Sequence, residues 1–236
     1  MAACGEGAAS EPAARSAPRV FAAASLREAF PRIDGSPTYN FAGSNQLQLQ
    51  IERGAPADVF ASASPKEAQA LFQAGRCSRP VTFATNVLVL LVPEANRGRV
   101  HSVHSLRSGR RRLAVGAAGV PIGAYTRRVL ERMHLSSILE TNTVSNEANV
   151  SGIVSKVALG SADAGFAYVT DAQVAADRVN NIGLPRGAQP PVRYQACAVK
   201  RPGADTAGAR KFIERVTASA GRSILARAGF GLPPGG

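Results

Sequence analysis

Two serines stand where an apolar run hands over to a helix start. Ser44 follows the strand-like Thr38–Ala42 and a turn at Gly43, and apolar residues then recur at Leu47, Leu49 and Ile51 up to Gly54. That spacing predicts strand, tight turn and helix, with glycine at the helix end. Ser25 follows the apolar run Val20–Ala24 and opens Ser25-Leu26-Arg27-Glu28, a capping-box pattern that predicts a helix through about Ile33. A third start, Ser64-Pro65-Lys66-Glu67, comes after the buried-looking strand Ala57–Ala63. Helix N-termini carry unpaired backbone N–H groups and the positive end of the helix dipole, so a hydroxyl there suits an anion. Taken by itself, Ser44 also reads as a plain N-cap. Two adjacent strand-to-helix turns, however, place Ser25 and Ser44 at one carboxyl edge of a sheet, where open α/β sheets bind ligands.

Other chemistries find little support. Neither serine lies in G-x-S-x-G and no histidine is near either, which argues against an enzyme and leaves no catalytic residue to name. His101 and His104 sit in an Arg/Ser-rich connection without nearby Asp, Glu or Cys, so a metal site is not expected there. Cys4, Cys77 and Cys197 lack CxxC spacing; Cys77 and Cys197 either pair in an oxidising compartment or stay free. The formal charge of +12 is the excess of 28 basic over 16 acidic residues, the basic ones spread along the chain with Arg110-Arg111-Arg112 the sole tight cluster. Aromatic residues do not interleave with them, so no nucleic-acid partner is expected. No run approaches the roughly 20 apolar residues of a membrane helix.

These turns need elements to hold them. Residues 1–18 are small and polar and read as a flexible tether. They contain no apolar signal core, yet Ala-Ala-Cys4 resembles the end of a bacterial lipoprotein signal. One reading is a lipidated Cys4 anchoring the protein outside the cytoplasmic membrane; the other is a stray cysteine in a tail. From Arg19 onward strands alternate with helices. Strands are expected at 82–93, 112–116, 142–145, 163–169, 179–184 and 192–199. Helices are expected from Gly123 to about His134, over Asn146–Gly160, after Thr170-Asp171, and over about 205–219 and 221–228. The alternation predicts α/β layers with mostly parallel sheets.

The segments FAAASL (21–26), FAGSN (41–45), GAPADVFASA (54–63), FATN (83–86), VPIGAY (120–125), NEANV (146–150), ADAGFAYVTDA (162–172) and GF (229–230) follow one another in order. In this the chain resembles the periplasmic molybdate-binding proteins of bacterial ABC importers, over about residues 19–230. The resemblance implies a two-lobed periplasmic-binding-protein fold of type II, with mostly parallel sheets flanked by helices and two crossover strands. Lobe 1 would comprise 19–83 plus 197–236, and lobe 2 residues 84–196. It implies an oxyanion site of the Ser25 and Ser44 hydroxyls, the backbone N–H groups of Ile122 and Val150, and the Tyr168 phenol. It also implies a membrane permease of an ABC transporter as partner, a periplasmic or extracytoplasmic monomer, and no cofactor: molybdenum would be held only as molybdate.

That donor set suits the ligand. Molybdate is a tetrahedral dianion without a proton near pH 7, so it offers acceptors alone, and a carboxylate in its site would repel it. Tungstate has nearly the same size and charge. The rival reading is the same fold binding another tetrahedral oxyanion such as sulfate. Asp58 and Asp171 are expected as caps or inter-segment hydrogen-bond partners.

Overall fold

The computed structural model describes residues 17–107 and 111–233. The expected tether lies outside them but for Ala17 and Pro18, and so does Cys4. The first half of the chain alternates strand and helix: β1 (Arg19–Ala23), α1 (Phe30–Ile33), β2 (Thr38–Ala42), α2 (Ser44–Glu52), β3 (Val59–Ser62), α3 (Pro65–Gln73), β4 (Val81–Asn86) and β5 (Leu88–Pro93). The pattern resumes with β6 (Leu113–Gly116), α4 (Pro121–Arg132), α5 (Ile138–Asn142), β7 (Thr143–Glu147), α6 (Val150–Ala158), β8 (Ala164–Tyr168), α7 (Val169–Val174) and β9 (Val179–Gly183). After β10 (Val192–Ala198) the chain closes with α8 (Thr206–Thr217) and α9 (Ser219–Arg227).

The strands form two five-stranded sheets, ordered β2-β1-β3-β10-β4 and β7-β6-β8-β5-β9. The two are built alike. In each, three strands run parallel (β1 with β2 and β3; β6 with β7 and β8), and the remaining pairings are antiparallel. The sheets are therefore mixed but mostly parallel in direction: only β10 in one and β5 in the other run against the remaining strands. The reversed strand of each sheet is the one the chain reaches by crossing over: β4 passes through Val87 alone into β5 of the other sheet. The chain crosses back between β9 and β10.

Local chemistry accounts for most boundaries. The inner strands β3, β6 and β8 are buried at every position, as strands covered on both faces must be. Val150, Ile153 and Val157 form the buried stripe of α6, and Gly160 ends it in the left-handed region at φ +68°. That helix begins four residues later than its sequence suggests, because Asn146 and Glu147 pair in β7 beside Val115 and Gly116. Asn149 is its N-cap, its Oδ1 accepting from Gly152 N at 3.3 Å. Asp58, 3% exposed, clips the ends of one sheet together. It accepts from Arg19 N at 2.8 Å, Arg201 Nη2 at 2.5 Å and Asp205 N at 3.1 Å. Cys77 and Cys197 are buried free thiols packed in a satellite cluster with Phe60, Leu71 and Val199.

Candidate functional site

The carboxyl ends of the three parallel strands of one sheet face those of the other. Ser25 follows β1, Ser44 follows β2 and Ala63 follows β3. Opposite them stand Ile122 after β6, Val150 after β7 and Tyr168 at the end of β8. All six line one cavity of about 20 Å³. The five residues singled out in the sequence are thus brought together, and among the described residues no acidic or basic side chain lines the space with them.

The two serines do not cap helices. Ser25 lies inside a 3-10 turn, Ala24–Leu26, that has no side-chain cap; its Oγ is 2.9 Å from Tyr194 Oη. Ser44 is the first residue of α2, whose N-cap is Gly43. The Gly43 N–H goes to Gln46 Oε1 at 3.3 Å, and Ser44 Oγ instead accepts from Ala63 N at 3.1 Å. The expected helix Ser25–Ile33 is split, with α1 covering only Phe30–Ile33. The capping-box patterns marked the strand-to-helix junctions, but long-range partners took the hydroxyls. Ser64, the N-cap of α3, is different: its hydroxyl donates to the buried carboxylate of Glu67 in that helix's own first turn rather than accepting from a backbone N–H.

Three helices of nine residues or more, α2, α4 and α6, begin at the cavity. Their first intrahelical N–H donations come later: Leu47 N donates to Gly43 O at 3.0 Å and Ala124 N to Val120 O at 2.9 Å. Helix geometry therefore leaves the amides of Ser44, Ile122 and Val150 without intrahelical acceptors, with the positive dipole ends converging on one point.

Tyr168 is 1% exposed. Its Oη has no hydrogen-bond partner among the described residues, an expensive condition for a buried hydroxyl. Burial pushes this phenol well above its ordinary value, and the neighbouring Tyr194 adds to the shift, so it keeps its proton. The ring packs edge-on against Tyr194, centroids 5.9 Å apart. The Tyr168 amide donates to Asp171 Oδ2 at 3.3 Å. Burial raises the Asp171 carboxyl to about 7, partly offset by that N–H. Asp171 and Asp58 thus act as hydrogen-bond partners rather than cavity groups. Asn45 Oδ1 is also buried and unpartnered, but Asn45 does not line the cavity.

The two sheets touch around this space. Tyr125 Oη donates to Ala63 O at 3.4 Å. A Cβ on Gly43 would lie 2.4 Å from Ala148 O, so only glycine allows that approach. Asn86, at the end of β4, donates from Nδ2 to Thr170 Oγ1 at 3.0 Å and to Tyr194 Oη at 3.4 Å. Asn86, Asn149 and Tyr194 were not singled out from sequence as site residues. The N-cap type of Asn149 was a usable signal; the other two act through contacts 84 to 169 residues distant along the chain, which no local pattern carries. Among the described residues, no cluster of three or more His, Cys, Asp or Glu could hold a metal ion, and no helix is long and apolar enough to cross a membrane.

Two like-built sheets, meeting strand end to strand end over an uncharged cavity edged by hydroxyls and helix N-termini, define a two-lobed solute-binding protein. The chain belongs to the bacterial extracellular solute-binding protein family, whose model matches residues 18–231. It is 38% identical over 224 residues, 91% of this chain and 84% of the relative, to the molybdate-binding protein ModA of Mycobacterium bovis. The molybdate-binding protein ModA of Escherichia coli is 31% identical over 234 residues, covering 89% of this chain and 87% of the relative. Among solved structures, the Azotobacter vinelandii periplasmic molybdate-binding protein matches with a TM-score of 0.79 at 24% identity, over 91% of this chain and 99% of that one. The sulfate-binding protein SubI of Mycobacterium tuberculosis matches with a TM-score of 0.76 at 12% identity, over 92% and 86%. These two likenesses concern the fold.

Proposed function

We propose that this protein captures molybdate, and tungstate as well, in the cleft between its sheets and delivers it to the permease of an ABC importer. The single observation that carries this reading is the buried Tyr168 phenol, a protonated donor without a protein acceptor on the wall of a cavity that no charged side chain lines. Beside it stand the Ser25 and Ser44 hydroxyls and the helix-start amides of Ile122 and Val150. Such a set offers donors to a ligand that has only acceptors. Each hydrogen bond to a charged ligand contributes about 1.5–3 kcal/mol net, and helix N-termini add about 0.3–1 kcal/mol each. Neutral donors let the dianion leave when the lobes part, since no counter-charge is left behind. The protein is on this reading a carrier, with no bond made or broken and no cofactor.

Lobe 1 is residues 19–83 plus 197–236 and lobe 2 residues 84–196 in outline. The membership of β4 and β10 in one sheet supports joins at Val87 and Val192. The carrier works outside the cytoplasmic membrane as a monomer, held there through a lipidated Cys4. Mass spectrometry of native material tests the anchor, and an unmodified mature Cys4 would refute it.

Sulfate is the competing ligand, since it too presents four acceptors and no proton. Competition calorimetry with molybdate, tungstate and sulfate tests the assignment. Molybdate and tungstate should both bind and sulfate more weakly; sulfate binding as tight as molybdate would overturn the specificity.

A further inference from the structure

Ser25 is the one cavity hydroxyl whose partner is another hydroxyl. Its Oγ lies 2.9 Å from Tyr194 Oη, and geometry alone allows either to donate. The direction is settled two bonds away. The Val87 backbone N–H donates to Asn86 Oδ1 at 2.9 Å. A backbone N–H must meet an acceptor, so the Asn86 amide has one orientation and its Nδ2 faces Thr170 Oγ1 and Tyr194 Oη as a donor. Tyr194 Oη thus receives a hydrogen bond from Asn86, and Ser25 Oγ is the acceptor within its reach. Tyr194 is fully buried, and that burial holds its phenol well above the ordinary value, so the proton is there to give.

We infer that Tyr194 is a positioning residue, polarised by Asn86, that donates to Ser25 Oγ and so commits the single Ser25 proton to the ligand. This rests on the oxyanion reading above and deepens it. Ser44 is arranged the same way, its Oγ occupied by the Ala63 N–H, and Tyr168 has no protein acceptor. None of the three hydroxyls then spends its proton on a protein acceptor among the described residues. A fully deprotonated oxyanion satisfies them. A protonated one, hydrogen phosphate or hydrogen arsenate, needs a site acceptor for its own O–H and meets a proton already aimed at it. The source of this constraint is Val87 and Asn86, where the chain crosses between sheets.

The test is a double-mutant cycle on Ser25 and Tyr194, read by molybdate calorimetry with thermal melts to confirm folding. Tyr194→Phe keeps the ring and removes the donor. In the wild-type background it should weaken molybdate about tenfold, the size of one hydrogen bond, and narrow the preference for molybdate over hydrogen phosphate. In the Ser25→Ala background it should change molybdate affinity by less than about twofold, since the hydroxyl it acts through is gone. Equal losses in both backgrounds would mark Tyr194 as packing alone and overturn the inference, as would no loss in either. If Tyr194→Phe fails to fold, Asn86→Ala enters the same cycle, with a loss dependent on Ser25 expected and an additive loss refuting. Wild-type protein that binds molybdate beside an additive cycle sinks this inference alone; wild-type protein that ignores molybdate sinks the functional reading beneath it.

Discussion

Ser44 Oγ accepts the amide hydrogen of Ala63 at 3.1 Å, joining the turn after β2 to the end of β3 across 19 positions of sequence. One hydroxyl thereby serves fold and cavity together: its lone pair holds a buried backbone N–H, and its proton is left for the space beyond.

Ser44→Ala should separate those roles. Without ligand, the unpaired Ala63 N–H costs about 1–3 kcal/mol of stability, read as a lower urea midpoint. Molybdate binding should weaken by a further 1–3 kcal/mol or so, read by calorimetry. A variant with wild-type affinity would remove Ser44 from the site.

Gly43→Ala addresses closure. The added methyl would meet Ala148 O at 2.4 Å, a contact made across the cleft. The lobes must part to relieve it, and apparent affinity falls with the closed fraction. Molybdate should bind about tenfold or more weakly, while the ligand-free melting temperature moves by little. Unchanged affinity would mean the contact yields without opening the cleft.

Asp58→Ala should be the most damaging substitution away from the cavity. Burial acts to raise the Asp58 carboxyl, but the Arg19 and Asp205 amides and the Arg201 guanidinium outweigh it and hold the carboxyl below its ordinary value. Removing it strands Arg201, itself only 18% exposed, and should cost about 3–5 kcal/mol. Because the folded value is depressed, the stability Asp58 gives is present above pH 3.8 and lost as pH falls through the folded value. Denaturant melts from pH 3 to 7 should show the variant flatter on the acid side; a parallel shift at all pH values would contradict this.

Asp171 has the opposite sign. Its folded value of about 7 stands above the ordinary 3.8, so the folded protein holds an extra proton between those limits. The stability this gives is full below about pH 4 and lost as pH rises through 7. Asp171→Asn keeps an acceptor for the Tyr168 N–H and abolishes the titration. Its melting temperature should gain on wild type between pH 5 and pH 8. A difference independent of pH would show that Asp171 titrates as an ordinary carboxyl.

Local chemistry made much of this legible in advance. The apolar stripe of Val150, Ile153 and Val157 and the stop at Gly160 announced α6, and alternating strands and helices announced the layers. The meeting of Ser25, Ser44, Ile122, Val150 and Tyr168 at one cavity followed from the resemblance of whole motifs, since Ile122 and Val150 offer only backbone and have no side-chain signature. What escaped was non-local. Ser25 resembled a cap because Glu28 stood three residues on, yet its hydroxyl is drawn to Tyr194, 169 residues away. The antiparallel pairings escaped because β5 and β10 take their direction from partners far along the chain, β8 and β9 for one and β3 and β4 for the other. The short α5 has no apolar period long enough to read.

The most direct test of the whole account is a calorimetric titration of the wild-type protein with molybdate, followed by hydrogen phosphate under the same conditions. Donors without acceptors predict one molybdate per chain, bound at micromolar strength or tighter, and hydrogen phosphate far weaker. No heat with molybdate, or phosphate bound as tightly, would contradict it.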